Sequence, residues 1–234
     1  MATITGTGGN DTLTGTAGND TISGLGGNDL VLAGSTGGTD AVDGGAGFDS
    51  IDFNGRATSA VIADFAAGRI NGGSSFGTIG FTSIERVVGG RFNDRLTGSA
   101  AGQNLTGAAG ADTLAGAGGI DTLWGGTGAD TFVFRETGGG NADRVNDFAS
   151  GSDKLLLDAS VMSALGAAGG FSAGDARFAA NSTGTAQDSS DRVIYNTTTR
   201  QVFYDADGSG SGAAQLIATF QGNPAIAATD IVVT

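Results

Sequence analysis

The sequence contains no cysteine and no histidine among its 234 residues. The absence of cysteine excludes disulfide bonds and thiol catalysis, and it makes the chain compatible with any redox compartment. The absence of histidine excludes an H-E-x-x-H zinc site and a Ser-His triad. Only carboxylate or tyrosine chemistry would remain for catalysis, so we expect a binding or structural protein and not an enzyme.

Basic residues are scarce as well, with 11 Lys and Arg against 24 Asp and Glu and a formal net charge of −13. Phosphate binding requires clustered Lys and Arg, so nucleic acid is not expected as a partner. No apolar run approaches the roughly 18 residues of a membrane span. The segment from Met1 to Asn10 has neither the basic nor the apolar region of a secretory signal peptide.

Glycine, in contrast, is abundant, with 45 residues against a single proline. It recurs with a fixed period of nine from Gly6, in the consecutive units GTGGNDTLT, GTAGNDTIS and GLGGNDLVL. Two further units begin at Gly34 and Gly44, the first of them one residue longer, so the first run spans residues 6–52. A second run of five units spans residues 89–133. Such a period indicates a repeat architecture.

Most units carry an acidic residue at the sixth position, and each carries an apolar residue two positions later. One apolar residue every nine is too sparse for a helix and fits a three-residue strand between turns. Gln103 takes the acidic position in one unit of the second run. The acidic residues are Asp11, Asp20, Asp29, Asp40, Asp49, Asp94, Asp112, Asp121 and Asp130. The apolar residues are Leu13, Ile22, Val31, Val42, Ile51, Leu96, Leu105, Leu114, Leu123 and Phe132.

If two units form one coil, residues 18 apart lie above one another, so that Asp11 faces Asp29 and Asp94 faces Asp112. Carboxylates at the spacing of neighbouring strands, about 4.8 Å, repel unless a cation lies between them. Oxygen ligands of this kind favour calcium, which takes six to eight oxygens, over magnesium, which demands a tight octahedron. An ordinary solvated acidic surface or a series of hairpin turns would not keep a nine-residue period.

The units resemble the RTX (repeats-in-toxin, or hemolysin-type) nonapeptide G-G-x-G-x-D-x-U-x. The resemblance implies an all-β fold, a right-handed parallel β-roll, with calcium held between turns by the sixth-position Asp and by the carbonyls of the first and third positions. It implies about five or six calcium ions. Gln103 departs from the pattern, so we expect it to weaken the site that it shares with Asp121. The implied carbonyl ligands are Gly6, Gly8, Gly15, Ala17, Gly24, Gly26, Gly44, Ala46, Gly107, Ala109, Gly116, Gly118, Gly125 and Thr127.

Two regions are expected from these patterns. Residues 1–133 form the roll, with residues 53–88 as irregular coils that join both runs into one solenoid, and two separate rolls are the alternative. Residues 134–234, where glycine becomes sparser, form a β-rich cap over the open end and carry the secretion signal. Within that cap a short helix is predicted over 158–168, and strands are predicted over 192–195, 201–204 and 214–220.

The C-terminal region also resembles RTX proteins of the serralysin type. The segment DRVNDF from Asp143, followed by GSDKL, is similar to the one that follows their roll. Residues 230–234 resemble the uncleaved signal that an ABC exporter of a type I secretion system reads, although any closing strand would look similar. The turn DADGSG from Asp205 matches the opening of an EF-hand loop. Leu216 stands where that loop requires Glu, so we expect a hairpin turn and leave a calcium role open.

Two functions follow from the sequence. In the first, the chain is a secreted calcium-binding protein with a structural or binding role outside the cell, through self-association or a cell-surface partner. The start at Met1, which leads directly into the first unit, favours this expectation. In the second, the chain is the calcium-dependent folding and type I secretion module of a larger secreted hydrolase or polysaccharide-modifying enzyme.

Overall fold

The structure is a computed structural model that describes residues 1–32, 38–72 and 76–234 of the chain. These ranges contain 23 β-strands, two 3₁₀ helices (Ser163–Leu165 and Ala228–Asp230) and no α-helix. No helix in them is long and apolar enough to cross a membrane. The start of the fourth repeat unit, at Gly34, lies outside the described residues.

The strands are β1 (Thr3–Thr5), β2 (Thr12–Thr14), β3 (Thr21–Ser23), β4 (Leu30–Leu32), β5 (Thr39–Asp43), β6 (Ser50–Asp52), β7 (Ile62–Asp64), β8 (Arg69–Asn71), β9 (Thr78–Thr82), β10 (Arg86–Val88), β11 (Arg95–Thr97), β12 (Asn104–Ala109), β13 (Thr113–Ala115), β14 (Thr122–Thr127), β15 (Thr131–Phe134), β16 (Asp143–Val145), β17 (Lys154–Leu157), β18 (Gly169–Gly170), β19 (Phe178–Asn181), β20 (Val193–Asn196), β21 (Gln201–Tyr204), β22 (Gln215–Phe220) and β23 (Ile231–Val233).

These strands form two sheets. Sheet A has the order β1-β3-β5-β9-β8-β7-β11-β13-β15-β17-β23-β18, and sheet B has the order β2-β4-β6-β10-β12-β14-β16-β22-β21-β20-β19. Within each repeat run, successive strands alternate between the sheets and pair in parallel. The register places Leu13 beside Val31 and Leu105 beside Leu123, 18 residues apart. Two units therefore form one coil, and the predicted all-β parallel roll is confirmed.

The core lies between the two sheets. In the three-residue strands of the repeats the middle residue points inward, as the alternation along a strand requires, while neighbours such as Thr12 and Thr14 are exposed. All ten apolar residues predicted from the repeats are buried, from Leu13 in the first coil to Phe132 in the last repeat strand. Because one strand buries only one such side chain, the stacking of coils is what assembles the core.

The segment between the two repeat runs continues both sheets. In sheet B, β10 pairs in parallel with β6 on one side and with β12 on the other. In sheet A, β7, β8 and β9 form antiparallel pairs, while β9 joins β5 and β7 joins β11 in parallel. Phe53 and Phe76, with ring centroids 4.5 Å apart, fill the interior here. Both runs therefore share the same pair of sheets.

The C-terminal region extends the sheets and ends them. Strand β17 pairs in parallel with β15 and β23, whereas β22, β21 and β20 form an antiparallel series at the end of sheet B. The three predicted strands are present with bounds shifted by at most one residue. The helix predicted over 158–168 is wrong in extent. Only a 3₁₀ turn forms, because Gly166 and Gly169 take φ of 80° and 139° and turn the chain away. Both sheets continue past Phe134 without a break. The predicted division between a roll that ends at residue 133 and a cap that begins at residue 134 therefore stays a prediction.

Candidate metal centre

The residues at the sixth repeat position lie at or just before the starts of strands. With three acids from outside the repeats they form two columns, one along each sheet. The sheet B column consists of Asp11, Asp29, Asp49, Glu85, Gln103, Asp121 and Asp143. The sheet A column consists of Asp20, Asp40, Asp94, Asp112, Asp130 and Asp153. Most of these side chains are buried.

Apart from Asp11 in the first coil, each acid has one carboxylate oxygen held by the backbone of the preceding coil. The amide N–H of Asp11 donates to Oδ1 of Asp29 at 2.8 Å, and the N–H of Asp29 donates to Oδ1 of Asp49 at 2.7 Å. The same bond joins Asp20 to Asp40, Asp94 to Asp112, Asp112 to Asp130 and Gln103 to Asp121, at 2.6 to 2.9 Å. The structure therefore brings together every pair expected from the 18-residue coil, through amide-to-carboxylate bonds.

The second carboxylate oxygen distinguishes two kinds of turn. In the closed turns, defined by Asp11, Asp20, Asp94, Gln103 and Asp153, the amide four residues earlier donates to this oxygen. Thr16 N–H lies 2.6 Å from Asp20 Oδ2, for example, and Gly90 N–H lies 2.6 Å from Asp94 Oδ2. The equivalent donors are Thr7, Ser99 and Ala149.

In the open turns this oxygen is buried without a hydrogen-bond partner. Among the described residues five buried side-chain oxygens lack one, and all are Oδ2 atoms of column acids: Asp29, Asp49, Asp112, Asp121 and Asp130. A buried oxygen without a donor costs about 1–3 kcal/mol, and more when it is charged. The open turns therefore contain acceptors that the protein itself leaves unsatisfied.

The orientation of one peptide group separates the two kinds of turn. At the second repeat position, every open turn has a positive φ, for instance 74° at Leu25, 83° at Ala108 and 63° at Ala117. In the closed turns of the described ranges, the residue at the second position does not have a positive φ. The positive φ turns the amide away from the carboxylate. It costs an L-residue roughly 1–2 kcal/mol, so the turns with Leu25, Ala108 and Ala117 store strain, whereas those with Gly45 and Gly126 do not.

The same orientation brings a backbone carbonyl to the free oxygen. A Cβ added at Gly107 would lie 2.3 Å from Asp112 Oδ2 and 2.6 Å from the carbonyl oxygen of Gly125. A Cβ at Gly24 would meet Asp29 Oδ2 and the carbonyl oxygen of Gly44 at 2.0 and 2.3 Å. The first repeat position is therefore glycine because any side chain would occupy the space between these two oxygens.

The predicted carbonyl ligands divide by position. The first-position carbonyls of Gly24, Gly44, Gly107, Gly116 and Gly125 each approach the acid or amide side chain one coil earlier. At the third position, the carbonyls of Ala46 and Thr127 accept backbone N–H groups from the preceding coil, each at 2.9 Å. A metal contact stays a prediction for all of these carbonyls and also for those of Gly6, Gly8, Gly15, Ala17, Gly26, Ala109 and Gly118.

Three column residues lie outside the repeats and were not predicted as site residues. Glu85 Oε2 accepts the amide of Asp49, Asp143 Oδ1 accepts that of Asp121, and Asp153 Oδ1 accepts that of Asp130. Spacings of 36, 22 and 23 residues replace the regular 18. An acid immediately before an apolar strand was the signal that could have found them.

Burial makes the charged form of several column acids unfavourable. It raises the pKa of Asp112 to about 7, and the charges of Asp94 and Asp130 contribute further. It also raises the pKa of Asp49 and of Asp130. In the closed turn of Asp20 the pKa is lowered, chiefly by the Thr16 amide. Burial also raises the pKa of Asp94, in a closed turn. A positive partner would stabilise the charged form of these buried carboxylates.

The open turns fit a hard divalent cation. The free groups are carboxylate and carbonyl oxygens, which calcium binds, and the sequence contains neither cysteine nor histidine to supply a thiolate or imidazole ligand. In the described ranges no three acidic side chains converge to hold a metal ion. Backbone oxygens would therefore have to supply part of the ligand set.

The turn at Asp205 lies apart from the columns. It connects β21 and β22, which pair antiparallel, so it is a hairpin turn. Asp205 Oδ1 accepts the amides of Asp207 and Gly208, and Asp207 Oδ2 accepts that of Gly212. A calcium role for this turn stays open.

Comparison with known proteins assigns the repeats. The RTX calcium-binding nonapeptide repeat matches in four copies, over residues 5–36, 35–52, 79–101 and 106–135. The chain is an RTX calcium-binding β-roll protein. No curated protein matches its sequence. Among solved structures, the extracellular lipase LipA from Serratia marcescens matches with 20% identity and a TM-score of 0.29, over 98% of this chain. The chain spans 39% of the lipase chain.

The strained peptide of the open RTX turns is testable at a single alanine. Ala117→Gly relieves the positive φ, whereas Ala100→Gly places glycine at an exposed third position of ordinary φ. We expect the free energy of unfolding at saturating calcium to be about 1 kcal/mol higher for Ala117→Gly than for Ala100→Gly. Denaturant unfolding measures both. Equal destabilisation by the two substitutions would contradict the assigned strain.

The raised pKa of Asp112 predicts how pH acts on the calcium-free protein. Its folded pKa, about 7, lies above the unfolded value of about 3.9. Protonation therefore stabilises the roll, fully below about pH 4, and this contribution is lost as the pH rises through about 7. We expect dialysed, calcium-free protein to gain β circular dichroism as the pH falls from about 8 to 5, and Asp112→Asn to weaken the dependence. A β signal that instead grows with rising pH would contradict the assignment.

Proposed function

We propose that this RTX protein is a secreted calcium-binding unit that folds when calcium binds between stacked turns, and that it has a structural or binding role outside the cell. The observation that carries the proposal is the set of five buried, unpaired Oδ2 atoms in the open turns. Each lacks a donor in a fold that satisfies the other oxygen of the same carboxylate.

The negative charge of the two columns supports a fold that depends on bound calcium. Carboxylates repeated at about the 4.8 Å strand spacing repel strongly where water is excluded. Asp112 illustrates this, since acids lie one coil below and one coil above it. When calcium is bound it supplies the positive charge and the missing contacts, so its binding energy becomes folding energy.

An enzymatic role is not proposed. The sequence contains neither histidine nor cysteine, which removes the usual nucleophile and base pairs. The buried carboxylates of the open turns are held by backbone amides through one oxygen, and the other oxygen would face the metal. We therefore assign binding and structure to the chain.

An extracellular location follows from the affinity expected of such sites. Extracellular calcium modules bind with a Kd of roughly 10⁻⁴ to 10⁻³ M, which matches calcium outside the cell and not in the cytosol. The chain would stay unfolded inside, pass through a type I exporter, and fold on emergence. Asp230 is buried and bonded to Ser150 and Gly151, and β23 pairs with β17. Because the folded protein buries these contacts, an exporter would have to recognise a signal at residues 230–234 before the chain folds.

The alternative is a folding and secretion module of a larger secreted hydrolase or polysaccharide-modifying enzyme. One structural feature favours it: at the N-terminal end of the roll, β1 pairs with β3 and β2 with β4, and each leaves its other edge free among the described strands. Such edges can accept a further coil. Neither proposal involves nucleic acid, and both permit a surface partner or self-association.

Calcium-driven folding is the test of the proposed function. We expect far-ultraviolet circular dichroism and the hydrodynamic radius to show an expanded chain in chelator at neutral pH and a compact β-protein after calcium is added. Magnesium at the same concentration serves as the control and should not restore the signal, since it holds its water and demands an octahedron. An unchanged β signal and radius in chelator would contradict the proposal.

A further inference from the structure

Two carboxylates meet where the repeat run ends. Asp121 immediately precedes β14, the last repeat strand of sheet B, and Asp143 is the first residue of β16, the next strand of that sheet. Their side chains are 0% and 2% exposed. The amide of Asp121 donates to Asp143 Oδ1 at 3.0 Å, which places Asp143 next in the column.

The remaining oxygens of the pair point to one space. A Cβ added at Gly116 would lie 2.4 Å from Asp121 Oδ2 and 2.5 Å from Asp143 Oδ2. Asp121 Oδ2 is buried and has no hydrogen-bond partner. In the described ranges no Lys or Arg forms a salt bridge with either carboxylate. Two carboxylate oxygens thus face each other, and no Lys or Arg of the described ranges neutralises them.

We propose that Asp121 and Asp143 together form a further calcium site, which fastens the C-terminal region to the repeat roll. The inference rests on the proposed calcium function. The site differs from a repeat site in two respects: its acids are 22 residues apart instead of 18, and a second carboxylate occupies the position where repeat sites present a glycine carbonyl. Asp143 also lies outside the matched repeat residues.

The position of the site gives it a structural consequence. Strand β16 joins the roll through a short ladder to β14, in which Arg144 pairs with Thr122 and Val145 with Leu123. On its other side β16 pairs with β22, which leads to the antiparallel strands at the end of sheet B. A cation shared by Asp121 and Asp143 adds two strong bonds at this junction, so calcium at this point controls the docking of the C-terminal strands.

Calcium stoichiometry tests the site. By equilibrium dialysis of the full chain at saturating calcium, we expect Asp143→Asn to bind one ion fewer than the parent, and Asp121→Asn/Asp143→Asn to bind no fewer than Asp143→Asn. The control is Asp230→Asn, which removes a buried carboxylate whose oxygens already accept hydrogen bonds from Ser150, Gly151 and Ala227. It should keep the parental count.

A second pair of variants leaves every carboxylate in place. Gly116→Ala puts a methyl group between the two oxygens, whereas Gly15→Ala, at the same repeat position of a closed turn, meets Asp20 Oδ2 at an ordinary 3.5 Å. We expect Gly116→Ala alone to lose one ion. If Asp143→Asn does not fold, this pair decides the question.

The outcomes separate this site from the general function. A parental chain that binds no calcium overturns the proposed function itself. A parental chain that binds calcium, with Asp143→Asn and Gly116→Ala both retaining the full count, overturns only the site. So does a double variant that loses two ions, because the acids would then belong to separate sites.

Discussion

A buried carboxylate oxygen without a donor is the constraint on which the rest of the structure depends. Each coil is too small to bury more than one apolar side chain per strand, so stability comes from the stacking of coils. Stacking also places the acidic side chain of each coil directly above that of the coil before it. The backbone satisfies one oxygen of each acid, as in the bond from Asp29 N–H to Asp49 Oδ1. The other oxygen needs something that the chain does not supply in the open turns.

In the first two turns of each repeat run, no repeat unit lies one coil earlier. These turns are closed, so the protein itself satisfies the second side-chain oxygen. At Asp20 the second-position amide turns inward and occupies the free oxygen. At Asp112 the peptide is reversed, so no amide of the turn occupies the second oxygen, and the carbonyl of Gly125 lies beside it. One peptide group therefore changes a self-satisfied turn into a cation site, and the strain at residues such as Ala108 is the cost of that change.

Much of this arrangement was predictable from the repeats. The period placed Leu114 in the core and Asp94 beside Asp112, because parallel coils of equal length fix the register. The repeat period alone does not reveal Glu85, because the antiparallel strands β7 to β9 interrupt the spacing before it. Asp143 stands 22 residues from Asp121 and escapes the same rule. The difference between Thr16 and Ala117 escapes it too, because the nine-residue period treats both second positions alike.

The most direct test of the account is a crystal structure grown with calcium, in which anomalous scattering locates the ions. The account predicts a cation within bonding distance of the Oδ2 atoms of the open turns, among them Asp29, Asp49 and Asp112, with the first-position carbonyl of the next repeat as a further ligand where one exists. A folded roll in which these oxygens instead bond to protein donors or water, with no cation beside them, would contradict it.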